Sequence, residues 1–213
     1  MPRTKEQFEQ MRKATKNKIH TAAMQLFVRK GFGSTTVQEI ADLAGISIGL
    51  LYRHYKTKEQ LFSELIQFSL TGLQKVSDLF QTDDSPKKLF DQFVSEVHND
   101  LEQGEDLENL LILMKQAFFS GGAHVEQERL GQINDRLLRS TAQLIQKGQE
   151  LGEFRNGDPH EMAIYFFSVI QGLAEMKAVM KDSFIMPSQP LLTAFLYKDE
   201  ENKIGEEQGR ALS

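Results

Sequence analysis

Between Thr35 and Phe62 the chain carries two short helical signals separated by one glycine turn, then a third, capped helix. That spacing fixes the local architecture more tightly than any other stretch of the sequence. Thr36 and Glu39 stand three apart as a capping box: the hydroxyl accepts from the amide three residues on, and the carboxylate reaches back to the Thr36 amide. Val37, Ile40, Ala41 and Ala44 then recur at helical spacing and give the first short helix one apolar face. Gly45 ends it with a residue that tolerates the left-handed conformation. Ser47 caps the second short helix, whose Leu51 turns inward with Ile46. Thr57 caps the third, with Lys58 at its first position and Gln60 completing a second box.

Two short helices about a glycine turn form a helix-turn-helix, whose second helix enters a major groove N-terminus first. The polar residues around the turn suit a phosphate backbone. Lys56 and Lys58 bring charge, Thr36, Ser47 and Tyr52 bring neutral donors, and helix N-termini add partial positive charge. Gly49, early in the second helix, costs about 1 kcal/mol against alanine. Close approach to DNA and room for a neighbouring helix are both reasons to keep it.

These residues carry a family resemblance. Gly31-Phe32 closing a long first helix, Ser34-Thr35-Thr36, Ile40-Ala41, Ala44-Gly45-Ile46-Ser47 and the run from Leu51 to Leu61 resemble the DNA-binding domain of the TetR family of bacterial regulators. The resemblance covers residues 15–66. It implies that Thr36, Ser47, Gly49, Tyr52, His54 and Lys58 fall where the family touches DNA. Ile48, in the second short helix, stands where an apolar group either meets a thymine methyl or is partly buried.

The net charge of −5 disfavours nucleic acid until its distribution is read. Residues 1–60 hold eleven Lys/Arg against five Asp/Glu, a balance of +6, while residues 61–213 hold fourteen against twenty-five, a balance of −11. A basic head on an acidic body is an asymmetry of DNA binders, with the body repelling phosphate and orienting the head. The absence of cysteine excludes disulfides and cysteine zinc sites and is compatible with a reducing cytoplasm. No uninterrupted apolar run approaches a membrane span and no export signal opens the chain, so a cytoplasmic protein without membrane partners is expected.

Strand signals are nearly absent and the five prolines avoid helix interiors, so the chain reads as all-α, with about nine helices. The expected helices cover about 6–30, the two short helices, Lys58–Phe80, 86–102, 106–120, 123–150, 159–182 and 188–198. Ser85-Pro86 and Asp158-Pro159 are cap-then-proline starts. The expected organisation is a three-helix head at 1–60, a helical ligand-binding and dimerisation domain at 61–198, and a flexible tail at 199–213. The long helix from Lys58 is expected to join head and body rigidly. Arg12, Lys13, Lys16 and Lys18 make the start of the first helix basic, either as a solvated face or as an arm to flanking phosphates.

Met162 to Met180 is apolar nearly all round, so it needs cover on more than one side. With Leu191 and Phe195 it suggests a two-fold four-helix interface through Tyr165, Val169, Leu173 and Met176, which is also how TetR-like proteins dimerise. Phe80, Phe93, Met114, Phe118, Phe119 and Phe166 are candidates to line a cavity, and ordinary core explains each of them too. The resemblance favours a pocket for a small apolar or amphipathic inducer, with Gly121-Gly122 as a turn beside it. His20, His54, His98, His124 and His160 lack ligand spacing, so neither metal nor cofactor is expected. No nucleophile elbow, phosphate loop or dinucleotide glycine motif points to an enzyme. The reading is therefore a homodimeric, ligand-responsive repressor at a palindromic DNA operator. Its alternatives are a TetR-like DNA organiser that acts without inducer or through protein partners, and a helical binder or enzyme whose head has lost DNA.

Overall fold

The computed structural model describes residues 4–104, 106–119 and 124–197. Among these residues the fold is all-α, with nine α-helices, one 3-10 turn and no strand. In chain order the helices are α1 Lys5–Lys30, α2 Val37–Leu43, α3 Ile48–His54, α4 Lys58–Leu79, α5 Pro86–Gln103, α6 Asp106–Phe119, α7 His124–Glu150, α8 Pro159–Met180 and α9 Gln189–Thr193. Gly121-Gly122 and the tail from 199 lie outside the described residues.

The chain divides into two compact units, Met1–Gly72 with Asn109–Leu130, and Leu73–Glu108 with Gly131–Ser213. The first therefore takes in more than the expected 1–60. Leu61, Leu65, Ile66 and Leu70 of α4 are buried there, and Phe62 is nearly so. Leu113 and Ala117 of α6 join the same unit, where Gln116 Nε2 donates to the Val28 carbonyl at 3.4 Å. These contacts are long-range in sequence.

In the first unit α1 lays Ile19, Ala22, Ala23, Leu26 and Phe27 on the core formed with Ile40 and Ala41 of α2 and Leu51 of α3. Phe27, Phe32 and Phe62 close into a ring triad with centroids 4.7–5.6 Å apart, a separation at which tilted and edge-on aromatic contacts are favourable. Gly31, at φ +80°, ends α1, and the buried Thr35 hydroxyl donates back to the Gly31 carbonyl at 2.9 Å.

The second unit is organised on Phe90 of α5. Its ring meets those of Phe80, Phe154 and Phe166 at 6.3, 6.1 and 4.9 Å. Gly148 of α7 allows Phe154 to lie where it does, because a Cβ at 148 would overlap the ring, standing only 2.9 Å even from Cγ. Ser85 and Asp158 cap α5 and α8 as their proline starts foretell: Ser85 Oγ accepts from the Lys88 amide, and Asp158 Oδ1 accepts from the amides of His160 and Glu161.

Two local expectations need correction. The helix expected over 188–198 is a five-residue α9, followed by turns. Arg155 holds the residues after α9, its amide donating to Leu196 O at 2.9 Å and its Nε to Tyr197 O at 3.0 Å. The absence of a membrane-length apolar segment also fails as stated. Pro159–Ser183 is long and apolar enough to cross a membrane by length and composition, because interspersed polar residues shorten each run without lowering the average enough.

Candidate nucleic-acid interface

The short helices at the turn are held by the caps that the sequence encodes. Thr36 Oγ1 accepts from the Glu39 amide at 3.2 Å, and Glu39 Oε2 accepts from the Thr36 amide at 3.0 Å. Lys30 pairs with the same carboxylate, and its hydrogen bond with those from Thr36 holds the Glu39 carboxyl down to about 2. Gly45 follows α2 at φ +66°, and Ser47 Oγ caps α3 by accepting from the Leu50 amide at 3.2 Å. At the third helix Thr57 Oγ1 accepts from the Gln60 amide at 3.1 Å. The second box is modified, however: Gln60 Oε1 accepts from the Lys56 amide at 2.8 Å, one residue earlier than a reciprocal box requires.

Behind the turn a polar cluster fixes where α3 ends. Tyr55, 2% exposed, brings its hydroxyl to 2.6 Å from His20 Nε2. Glu64 of α4 lies 3.4 Å from the same nitrogen and pairs with Lys16. Burial lowers the His20 pKa and raises that of the Tyr55 phenol, so an uncharged imidazole and phenol join α1 to the segment after α3. The cluster ties the second short helix to both long ones, and periodicity gave no sign of it.

Most of the expected contact residues are exposed to solvent. Thr36, Ser47, Ile48, Gly49, Tyr52 and Lys56 are exposed and His54 is half-buried. Ile48, 37% exposed, is the first residue of α3, so its side chain leads the helix into any groove that α3 enters. Gly49 has nothing within 4 Å of an added Cβ, so no neighbouring helix of this chain demands it. Thr36 already directs its hydroxyl hydrogen to Glu39 Oε2 at 3.0 Å.

Lys58 behaves differently from a free surface cation. Its ammonium donates to the Phe32 and Thr35 carbonyls, both at 2.7 Å, and sits 4.4 Å from the Phe32 ring centroid. It fastens the loop before α2 to the first turn of α4. Lys58→Ala is therefore expected to lower stability by about 2 kcal/mol, the range of hydrogen bonds from charged groups. Its binding should keep the parental salt slope. Thermal unfolding and salt-titrated binding check this, and a slope shallower by about 0.9 per bound protomer would place the ammonium on a phosphate instead.

The remaining candidates fall in two places. Phe80, Phe93 and Phe166 form one ring cluster in the second unit, Phe93 lying 5.1 Å from Phe80 and 6.0 Å from Phe166. Met114, Phe118 and Phe119 belong to the first unit, Met114 buried and the two phenylalanines exposed. On α8, Tyr165 and Met176 are exposed and Val169 and Leu173 half-exposed, while Leu191 is exposed and the Phe195 ring lies 5.1 Å from Tyr165. Among the described residues no group of three or more His, Asp and Glu side chains converges to hold a metal. One feature escaped the sequence reading, an open groove of about 430 Å³ between Asn17, Lys18, Thr21 and Gln25 of α1 and Leu43 and Ala44.

Known proteins share both the motif and the fold. Residues 19–65 match the family described as bacterial regulatory proteins, tetR family. The HTH-type transcriptional regulator TtgR of Pseudomonas putida is 27% identical over 192 residues, covering 85% of this chain and 86% of its own. NalD, the secondary repressor of the MexAB-OprM multidrug efflux pump in Pseudomonas aeruginosa, has the same fold at a TM-score of 0.65 and 23% identity, covering 89% of this chain and 99% of its own. SmeT in its complex with triclosan matches at 0.65 and 21%, covering 88% and 93%. With the capped turn and its exposed polar residues already in place, residues 19–65 form a domain that matches the tetR family of bacterial regulatory proteins, and TtgR, which matches most of the chain, is a helix-turn-helix transcriptional regulator.

Proposed function

We propose that the protein is a homodimeric repressor that binds a palindromic operator and leaves it when a small apolar or amphipathic inducer binds. The observation that supports the DNA reading is the joint exposure of Thr36, Ser47, Ile48, Gly49, Tyr52 and Lys56 around the capped turn, with His54 half-buried. Ile48 and Gly49 would lead α3 into a major groove, while Tyr52, Lys56 and the first amides of α4 would face phosphates. Lys58 would act by holding the loop before α2 in register.

Dimerisation is supported by the two faces of α8. Ala163, Phe166, Ile170 and Ala174 are buried in the second unit. About a third of a turn away, Tyr165, Val169, Met176 and Val179 form a second apolar stripe that the described residues leave partly uncovered, and Gly172 within it has open space around it. With Leu173, Leu191 and Phe195 alongside, a second copy would bury this stripe and account for the membrane-like composition of α8 without a membrane. Two-fold symmetry then presents two α3 helices to two half-sites.

For the inducer, the Phe80–Phe93–Phe166 cluster supplies an apolar wall, with Met114, Phe118 and Phe119 as further candidates. SmeT, a structural neighbour, was solved with triclosan, an apolar aromatic compound of the class expected here. A ligand switches such a protein only through different affinities for the bound and released states. A cytoplasmic location follows from this reading.

Selection of bound duplexes from a random pool, then a ligand screen for release, tests it. Enrichment of a palindrome, a dimeric sedimentation mass and release by an apolar compound are expected. A monomer that binds no duplex at low ionic strength would overturn the proposal, and dispersed sites without ligand response would select the DNA-organiser alternative.

A further inference from the structure

α1 begins well outside the core. Residues 4–14 are exposed without exception, and the first buried residue of the helix is Ile19. The projecting turns are nonetheless a built element. Thr4 Oγ1 accepts from the Gln7 amide at 3.3 Å, and Gln7 Oε1 accepts from the Thr4 amide at 3.1 Å. An isolated segment of this length would not hold a helix in water, but this one continues from a helix already anchored in the core.

The direction in which it faces is fixed by its own periodicity. Lys5, Phe8, Arg12, Lys16 and His20 lie along one stripe of α1, spaced three or four residues apart. The inner end of that stripe is pinned, Lys16 to Glu64 and His20 to Tyr55. Tyr55 directly follows α3, so the stripe faces the side on which the second short helix ends. Arg12 is one turn further out. After burial, its charge and that of Lys16 are what lower the His54 pKa at the last residue of α3. Lys16 has its carboxylate, whereas Lys5 and Arg12 have no partner among the described residues. Phe8 and Met11, 58% and 46% exposed, flank them, and Glu9 is the nearest acid on this face.

We propose that the projecting turns of α1 form a second DNA contact, in which Lys5 and Arg12 take backbone phosphates beyond the base pairs reached by α3 while Phe8 and Met11 lie against the sugars. This rests on the DNA-binding reading and deepens it. Charge complementarity and continuity with the α3 end of the interface select duplex phosphate as the occupant. Such contacts add affinity and set register without reading sequence.

The test uses the full chain and a selected operator, either with its flanks or trimmed to the half-sites. Lys5→Ala with Arg12→Ala should flatten the log Kd against log salt slope by about 3.6 for a dimer on both half-sites, since each of the four lost phosphate contacts removes about 0.9. The parental protein should bind the flanked duplex more tightly than the trimmed one, and the double variant should lose that preference. Glu9→Gln should shift affinity the other way. Thermal midpoints should not move, since all three side chains are exposed. A parental slope and flank preference in the double variant would overturn the arm while leaving the operator reading intact. Absence of duplex binding by the parental chain would overturn both. A changed sedimentation mass with an unchanged slope would assign the arm to contact between copies and overturn the proposal.

Discussion

Ile48→Asp is expected to weaken operator binding roughly 100-fold while changing the stability of the fold by only about 1 kcal/mol. Position 48 is the first residue of α3, directly after the Ser47 cap, and its side chain is partly exposed. A carboxylate at a helix N-terminus is stabilising by about 0.3–1 kcal/mol, which offsets part of the apolar burial lost with a side chain 37% exposed. On DNA the same carboxylate would lead into a groove walled by phosphates. Like charges brought together at an interface cost several kcal/mol, and about 2.7 kcal/mol already corresponds to a hundredfold change. Fluorescence anisotropy at fixed salt, beside a thermal midpoint, separates the two effects. Ile48→Ala serves as the reference, since it removes the apolar contact without adding charge and should cost far less. Binding by the aspartate variant within a fewfold of the alanine variant would take α3 out of the groove.

The helix-turn-helix was legible because its determinants are local. A capping box needs residues three apart, a helix stop needs a glycine, and an amphipathic face needs one period, so Thr36 with Glu39, Gly45, and Ile40 with Ala41 spelled out the turn. Where an outcome depends on a distant partner, the same rules fall short. Gln60 has two amides within reach, and the backbone after α3 decides that Lys56 receives it. Lys58 reads as a surface cation until the fold brings two loop carbonyls to it. The segment after Gln189 has a helical pattern, yet it turns after Thr193, and the carbonyls of Leu196 and Tyr197 bind Arg155, more than forty residues earlier in the chain. The His20–Tyr55–Glu64 cluster joins three elements through single polar atoms, a contact type with no sequence period.

The aromatic residues of the second unit pose a different problem, because a ring that fills a core and a ring that lines a ligand cavity share one hydrophobic pattern. Substitution separates them. Phe90→Ala is expected to destabilise the protein by about 3–5 kcal/mol, the usual cost of emptying a buried phenylalanine site. Phe90 is fully buried, and the rings of Phe80, Phe154 and Phe166 around it belong to three different segments, so none can collapse into the space without giving up other contacts. Phe154 is further held against the α7 backbone at Gly148, the side from which relaxation would otherwise come. With native stabilities of about 5–15 kcal/mol, such a loss would lower the urea midpoint sharply. Phe93→Ala should cost much less, since Phe93 is only half-buried. If the cluster forms one wall of an inducer site, that variant should change ligand-dependent release while the urea midpoint moves little. Equal destabilisation by the two substitutions, with no change in release, would make Phe93 core as well and leave the inducer to be sought on other residues.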